Sequence, residues 1–100
     1  MSRQDARRFV VAYDVANDAR RNRIAHVLER YGDRVQYSVF VVDLGVARLL
    51  LMKAEITAMM KPDEDSVLLC DLGAADGVEA GRFTYVGRTR AMTSRDTFIV

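Results

Sequence analysis

Apolar residues follow two patterns along the chain, one typical of strands and one typical of helices. Continuous or alternating apolar runs predict the strands. Residues 8–13 are apolar on both faces, which is typical of a strand in the middle of a sheet. The β-rich stretch 35–44 leaves one side wholly apolar and predicts either one bent strand or two short ones. Residues 66–72 predict another buried strand, and residues 82–86 and 97–100 predict shorter ones.

Two segments have the helical spacing instead. Asn17 or Asp18 provides an N-cap for a helix that runs to about Tyr31, with apolar residues at i, i+3, i+4 and i+7. Gly32 is predicted to end this helix. A second helix is predicted over residues 46–60, and a proline follows it shortly afterwards.

The order of these elements is typical of an α/β chain that folds as an α+β sandwich of ferredoxin-like type. Such a fold has an antiparallel sheet with two helices on one face. Residues 1–100 are long enough for one domain. The second face of the sheet has no cover in a single chain, and a second copy would cover it most simply. Residues 98–100 can join the sheet edge of that copy, which predicts a homodimer with an exchanged C-terminal strand.

The distribution of charged residues along the chain indicates where an anionic partner would bind. The formal net charge is +1, so the chain is not a bulk polycation. Residues 1–34 hold eight arginines against five acidic residues, so an anion-binding surface should draw on the first third of the chain. Thirteen of the fifteen basic residues are arginine, which reflects either phosphate recognition or a GC-rich genome.

The cysteine content and the hydropathy of the sequence argue against a disulfide-bonded protein, a cysteine zinc site and a membrane-spanning protein. Cys70 is the only cysteine, so no internal disulfide or zinc-type cysteine pair can form, and its apolar surroundings predict a small core residue. There is neither a signal-like segment nor an apolar run of membrane-spanning length. The sequence therefore predicts a cytoplasmic protein without membrane contact.

Asp14 is the first candidate for chemistry. It follows the apolar run 9–13 and precedes the arginine-rich stretch 20–23, so carboxylate and guanidinium groups are expected side by side at a strand end. Mg²⁺, or Mn²⁺ in its place, takes one or two carboxylates together with waters and phosphates. In a two-fold dimer one Asp14 becomes two that face each other. The alternative is that Asp14 only turns the chain before the first helix.

Arginines at the start of the first helix are the second candidate. Arg20, Arg21 and Arg23 occupy its first two turns, where cations oppose the helix dipole. Either phosphate binding or salt bridges to Asp14 and Asp18 would explain this placement.

Aromatic and hydroxyl side chains near the basic stretch complete the set. Tyr13, Tyr37 and Phe40 either stack on bases or ribose or belong to the core. Ser38 either donates to a phosphate oxygen or bonds across strands. The acidic run 63–65 is predicted to be a solvated turn.

Several strings of the sequence occur together in one known family. They are Val10–Val15, Asn17-Asp18, Arg20–Arg23, Tyr31-Gly32 and Arg34–Phe40, with looser likeness at residues 65–67 and 98–100. This set resembles the family called CRISPR-associated protein two, the small partner of the integrase in spacer acquisition. The resemblance runs from about residue 8 to the end, and the first forty residues are its specific part.

The resemblance implies a ferredoxin-like homodimer whose protomers pack sheet to sheet. It also implies a metal-dependent endonuclease acting on RNA or double-stranded DNA. In CRISPR adaptation such a dimer bridges integrase subunits and holds the incoming DNA, and its own nuclease site is dispensable there. The metal-binding acid of the family matches Asp14, and the neighbouring tyrosine matches Tyr13.

The family's nucleic-acid residues match Arg21, Arg23 and Arg34, and its strand aromatic matches Phe40. Many members carry Glu or Gly where this chain has Val41-Val42, so metal binding would rest on the single strand-end acid. Slow or conditional turnover is expected, rising with pH and divalent metal because two facing carboxylates repel each other without a cation. The alternatives are a non-catalytic DNA-binding scaffold dimer and a stand-alone toxin-like ribonuclease.

Overall fold

The strands and helices up to residue 74 follow the predicted order, with the stretch 35–44 divided into two strands. The computed structural model describes residues 5–77 and 82–89. Within them we number the elements in chain order and give a short 3₁₀ turn no label. The elements are β1 (Arg7–Asp14), α1 (Asp18–Glu29), β2 (Gly32–Gln36), β3 (Val39–Leu44), α2 (Val46–Met59), β4 (Ser66–Ala74) and the 3₁₀ turn Ala75–Gly77.

The four strands form one antiparallel sheet in the order β2-β3-β1-β4. β1 lies inside the sheet, as its apolar run predicts. Both helices pack against one face, where Val11 and Phe40 of the sheet meet Ile24 of α1 and Met52 of α2 in a single core. The prediction of a ferredoxin-like α+β sandwich is confirmed.

The opposite face of the sheet, which we call the open face, carries the alternate residues of each strand. Val10 and Ala12 of β1 are half-buried there, and on β4 Leu68 is 62% exposed. Cys70 is exposed on the same strand, so its prediction as a core residue is wrong. The physical reason is that β4 is an edge strand, and its outward residues have no cover within the described part of one chain.

The β-rich stretch 35–44 divides into two strands, which settles the alternatives left by its pattern. The chain turns at Tyr37 and Ser38, between β2 and β3. Gly32 does not end α1; it is the first residue of β2, whereas α1 ends at Glu29. Glycine is needed there because a Cβ would lie 2.2 Å from the carbonyl oxygen of Val41 on the neighbouring strand.

The strand predicted over residues 82–86 is absent from the structure. Instead, Phe83 packs against Val35 and Val41 on the open face, and the Tyr85 hydroxyl donates to the carbonyl oxygen of Val35 at 3.0 Å. The alternation of apolar residues therefore serves packing against one face rather than pairing with a strand. The strand predicted at residues 97–100 lies outside the described residues.

Neither helix in the described part of the chain is long and apolar enough to cross a membrane.

Candidate functional site

One end of the sheet gathers most of the residues that the sequence singles out. β1 ends there at Asp14, which pairs in register with Ser66, the first residue of β4. The amide of Tyr13 donates to the carbonyl oxygen of Ser38 at 3.0 Å, so the turn between β2 and β3 lies at the same end. α1 begins four residues after Asp14. We call this region the Asp14 end of the sheet.

Asp14 is exposed, and its position follows from the alternation of β1. Val11 and Tyr13 enter the core under the helices, whereas Ala12 and Asp14 belong to the open face. Within residues 5–77 and 82–89 no three acidic, histidine or cysteine side chains come together in a way that could hold a metal ion. Asp14 is therefore the strand-end carboxylate that one protomer offers here as a hard oxygen ligand.

Arg21 reaches from α1 across the end of β1. Its Nη1 donates to the carbonyl oxygen of Val15 at 3.0 Å, and its Nη2 lies 2.5 Å from the Asp18 carboxylate. The hydrogen bond to Asp18, followed by that to Tyr37, holds the pKa of Arg21 above its ordinary value. Its Nε is buried without a hydrogen-bond partner in the described structure. Arg21 is therefore a fixed cation close to the strand end.

Arg34 approaches the same end from β2. Its Nε and Nη2 donate to the carbonyl oxygen of Tyr37 at 3.1 and 2.8 Å, and Nη2 lies 3.4 Å from the Tyr13 hydroxyl. That hydroxyl donates to the same carbonyl at 3.3 Å. The guanidinium carbon also lies 5.4 Å from the ring centre of Phe40. These contacts place a second cation beside the turn.

The aromatic candidates have different environments. Phe40 is fully buried and Tyr13 is 5% exposed, and their rings stack with centroids 6.3 Å apart. Both rings belong to the core, the second of the two predicted alternatives. Tyr37 is 59% exposed. Its place between the two halves of the run 35–44 was the signal that could have separated it from the others. Ser38 is half-buried.

Arg20 does not join this group. Its Nε donates to Asp65 at 2.8 Å, and its Nη2 lies 3.1 Å from both Asp65 and Glu64. Arg20 forms salt bridges, but with Asp65 and Glu64 rather than with the predicted Asp14 or Asp18, and its predicted contact with nucleic acid stays a prediction. The pair links α1 to the segment before β4 and keeps most of the Arg20 side chain from solvent.

The same pair corrects the prediction for the acidic run 63–65. Asp65 is buried, and it accepts a further hydrogen bond from the Lys61 amide at 2.8 Å. The Arg20 side chain, and after it this amide, lowers the pKa of Asp65. Asp63 and Glu64 are exposed, so only these two residues of the run are solvated.

Arg23 is exposed on α1. None of the ion pairs in the described residues involves Asp14. The Asp14 end of the sheet thus brings together an exposed carboxylate, two fixed guanidinium groups and one exposed aromatic ring. Such a set suits contact with a phosphodiester.

Comparison with known proteins agrees with this geometry. The family model described as CRISPR associated protein Cas2 matches residues 7–77. A CRISPR-associated endoribonuclease Cas2 from Geobacter sulfurreducens is 33% identical over 92 residues, which cover 92% of this chain and 96% of that protein. A CRISPR-associated endoribonuclease Cas2 from Synechocystis sp. is 39% identical over 59 residues. That match covers 59% of this chain and 64% of the relative, slightly less than two thirds of its length.

A solved structure supports the same assignment at the level of the fold. The crystal structure of a hypothetical protein from Thermus thermophilus superposes with a TM-score of 0.71. It is 28% identical in sequence, and the superposition covers 88% of this chain and 99% of that one. Since the family model spans most of the chain and the Geobacter relative matches nearly all of it, this chain belongs to the CRISPR associated protein Cas2 family.

Proposed function

We propose that this chain is a CRISPR adaptation subunit with metal-dependent endonuclease activity on RNA or double-stranded DNA, active as a homodimer. Family membership supports this, as do the two relatives named endoribonucleases. The observation that carries the proposal is the position of Asp14. It is an exposed carboxylate at the end of a central strand, at the same end of the sheet as Arg21 and Arg34.

The open face supports the dimer. Val10, Ala12 and the largely exposed Leu68 give it an apolar character, and burial of such a surface drives association. A two-fold interface uses the same face of both copies, and residues close to the axis face their own copies. Because Asp14 belongs to the open face, sheet-to-sheet packing would bring two Asp14 carboxylates to the same interface.

The donor set fits a divalent cation in the dimer better than in one chain. Two Asp14 carboxylates supply hard oxygen ligands, and Mg²⁺ or Mn²⁺ completes its shell with waters and phosphate oxygens. When bound, the ion would polarise a phosphoryl oxygen and lower the pKa of its bound water.

The arginines of the site would bind and orient the phosphodiester. Arg21 and Arg34 are held by carbonyl oxygens of the turn and of the strand end, so their guanidinium groups are already positioned. Charge-assisted hydrogen bonds from such groups to phosphate are stronger than neutral ones. Arg23 is exposed nearby on α1 and would extend the cationic surface.

Cleavage assays on single-stranded RNA and double-stranded DNA test the proposal. Asp14→Ala should abolish cleavage in the presence of Mg²⁺ or Mn²⁺ while nucleic-acid binding is retained. Asp76→Ala is the matched control, because Asp76 is an exposed acid beyond the opposite end of β4. Cleavage by the Asp14 variant at the wild-type rate would refute the assignment of the site.

A second function is favoured by one observation. Val41 and Val42 are buried in the sheet, where the family resemblance implies Glu or Gly in many members, and no group of three potential metal-ligating side chains exists in the described residues. This favours a scaffold that binds duplex DNA and bridges integrase subunits without cleaving. Absence of cleavage by the metal-loaded wild type, together with co-purification with the integrase subunit, would support the scaffold over the enzyme.

A further inference from the structure

We propose that Tyr37 is a stacking platform for one unpaired base of a single-stranded nucleic acid, with Arg21 and Arg34 binding the phosphates on either side. The inference rests on the proposed function, because it names the form of nucleic acid that the Asp14 end of the sheet binds.

The first observation is exposure. Tyr37 is 59% exposed, and the other aromatic side chains of the described residues are buried or half-buried. An exposed ring contributes little to the core of the fold. Every base offers a flat face for stacking on such a ring, whatever its identity.

The second observation is that the backbone under the ring is fixed. Three donor atoms converge on the carbonyl oxygen of Tyr37: Nε and Nη2 of Arg34, and the hydroxyl of Tyr13. The turn is therefore held from both β1 and β2. A ring on a fixed turn loses less conformational freedom on binding than a ring on a mobile loop.

The third observation is the position of the two cations. The guanidinium carbons of Arg21 and Arg34 each lie 5.6 Å from the ring centre of Tyr37. Both guanidinium groups lie over the ring, and Tyr37 as a whole residue is still 59% exposed. A base on the exposed part would have its flanking phosphates within the reach of guanidinium groups.

The charges of the two arginines are not equivalent. Arg21 shares its charge with the Asp18 carboxylate. The hydrogen bonds of Arg34 in the described structure go to a carbonyl and a hydroxyl oxygen, which leave its positive charge available to a phosphate. Arg34 is accordingly the stronger phosphate ligand of the pair.

A duplex cannot use this arrangement fully. The bases of a duplex are stacked on each other inside the helix and cannot stack on Tyr37. Its phosphates can still bind Arg21 and Arg34. Single strands and unpaired ends expose a base to Tyr37 as well. The site should therefore distinguish single strands from duplexes of the same sequence.

A fluorescence experiment reads the contact directly. The chain contains no tryptophan, so Tyr37→Trp creates a single reporter at the platform. In EDTA, a single-stranded oligonucleotide should quench this tryptophan, whereas a blunt duplex of the same sequence should bind through its phosphates without quenching. Equal quenching by both forms, or binding of neither, would overturn the proposal.

Affinity measurements give an independent readout in the same buffer. Tyr37→Ala should weaken single-strand binding about 5- to 150-fold, the effect of losing one base stack, and leave duplex binding nearly unchanged. Tyr37→Phe should retain single-strand binding because the ring is kept. Leu50→Ala, at a position 60% exposed on α2, is the matched control and should behave as wild type.

The stacking proposal would be contradicted if Tyr37→Ala weakened the binding of single strands and duplexes equally, or weakened the binding of neither. These assays contain no metal, so they do not depend on cleavage. If the protein cleaves neither RNA nor DNA but the quenching is observed, the nuclease proposal is refuted and the stacking site is supported. If the protein cleaves but no quenching is observed, only the stacking site is refuted.

Discussion

Arg20 and Arg21 are neighbours in the sequence but have different partners. Arg20 is paired with Asp65, which lies 45 residues further along the chain, whereas Arg21 binds Asp18 and backbone oxygens close to Asp14. One arginine therefore links elements of the fold and the other forms part of the candidate site. Substitutions at the two positions should affect different properties, stability for Arg20 and nucleic-acid binding for Arg21.

The Arg20–Asp65 pair makes stability depend on pH on the acid side. The folded pKa of Asp65 lies below the unfolded value of about 3.9. The contribution of the pair is therefore fully present above the unfolded pKa and is lost as the pH falls through the lower, folded pKa. We expect Asp65→Asn to lower the Tm near neutral pH, and this difference from wild type should shrink below about pH 4.

Thermal melts followed by circular dichroism across this range check the prediction. Asp63→Asn is the control, because Asp63 is exposed in the same turn and its loss should leave the Tm unchanged. A Tm difference for the Asp65 variant that stays the same at acid and neutral pH would show that the pair does not act through the charge of Asp65.

At the residue scale, the sequence identifies candidate side chains but does not predict how exposed each one is. Tyr13, Tyr37 and Phe40 all fall in segments predicted to be buried strands, so the pattern favours a core position for each of them. The turn between β2 and β3 alone separates the exposed Tyr37 from the two buried rings. The partner of Arg20 could not be predicted either, because the pairing depends on the tertiary placement of α1 against the segment before β4.

β2 approaches β3 closely at Gly32. At Gly32 an added Cβ would lie 2.2 Å from the carbonyl oxygen of Val41 and 2.9 Å from the Cα of Val42. Both are backbone atoms of the neighbouring strand, so no side-chain rotation can relieve the clash.

Gly32→Ala should therefore destabilise the fold by about 1–3 kcal/mol or more, as expected when a packed interior is overfilled. Urea denaturation measures the free energy of unfolding. Gly77→Ala is the control, since a Cβ at Gly77 meets nothing within 4 Å. Equal stability of both variants would mean that β2 can shift away from β3.

Among the elements, the sequence predicts the central strand, both helices and the strand after α2 to within about two residues at each end. The apolar patterns of β1 and α1 agree with their burial. The apolar run of β4 predicts a buried strand instead, whereas β4 lies at the edge of the sheet with Leu68 and Cys70 exposed. Glycine after a helix is the usual stop signal, so the pattern predicts a helix end at Gly32, whereas in the structure this residue allows β2 to pack against β3. Residues 82–86 alternate like a strand, but their aromatic side chains pack on the open face instead of the backbone pairing with a strand.

The whole molecule has one apolar sheet face that the described residues of a single chain leave partly exposed. Leu68, at 62% exposure, lies on this face, and a charge there would oppose its burial against a second copy. Leu68→Asp should convert the proposed dimer to a monomer and reduce the proposed cleavage along with it.

Size-exclusion chromatography with light scattering gives the mass of each variant. Leu50→Asp provides a matched control, because Leu50 is 60% exposed on α2, on the other side of the molecule, and its substitution should leave the dimer intact. A dimer that survives Leu68→Asp, or one that is lost equally in both variants, would argue against pairing through the open face.

At the scale of the whole molecule, the sequence predicts a sheet with one uncovered face, but the identity of its cover depends on the family resemblance. One chain cannot reveal how two copies meet, because the apolar pattern of the open face is compatible with many partners. The exchanged C-terminal strand remains a prediction, since residues 97–100 lie outside the described part of the chain.

The central claim is that two copies of Asp14 form one metal site. The number of metal ions bound per chain tests this claim most directly, because a site within a single chain would bind one ion per chain. Isothermal titration of the purified protein with Mn²⁺ should give one ion per two chains, and Asp14→Ala should abolish that binding while the dimer persists. One ion per chain, or the same binding in the Asp14 variant, would contradict the account.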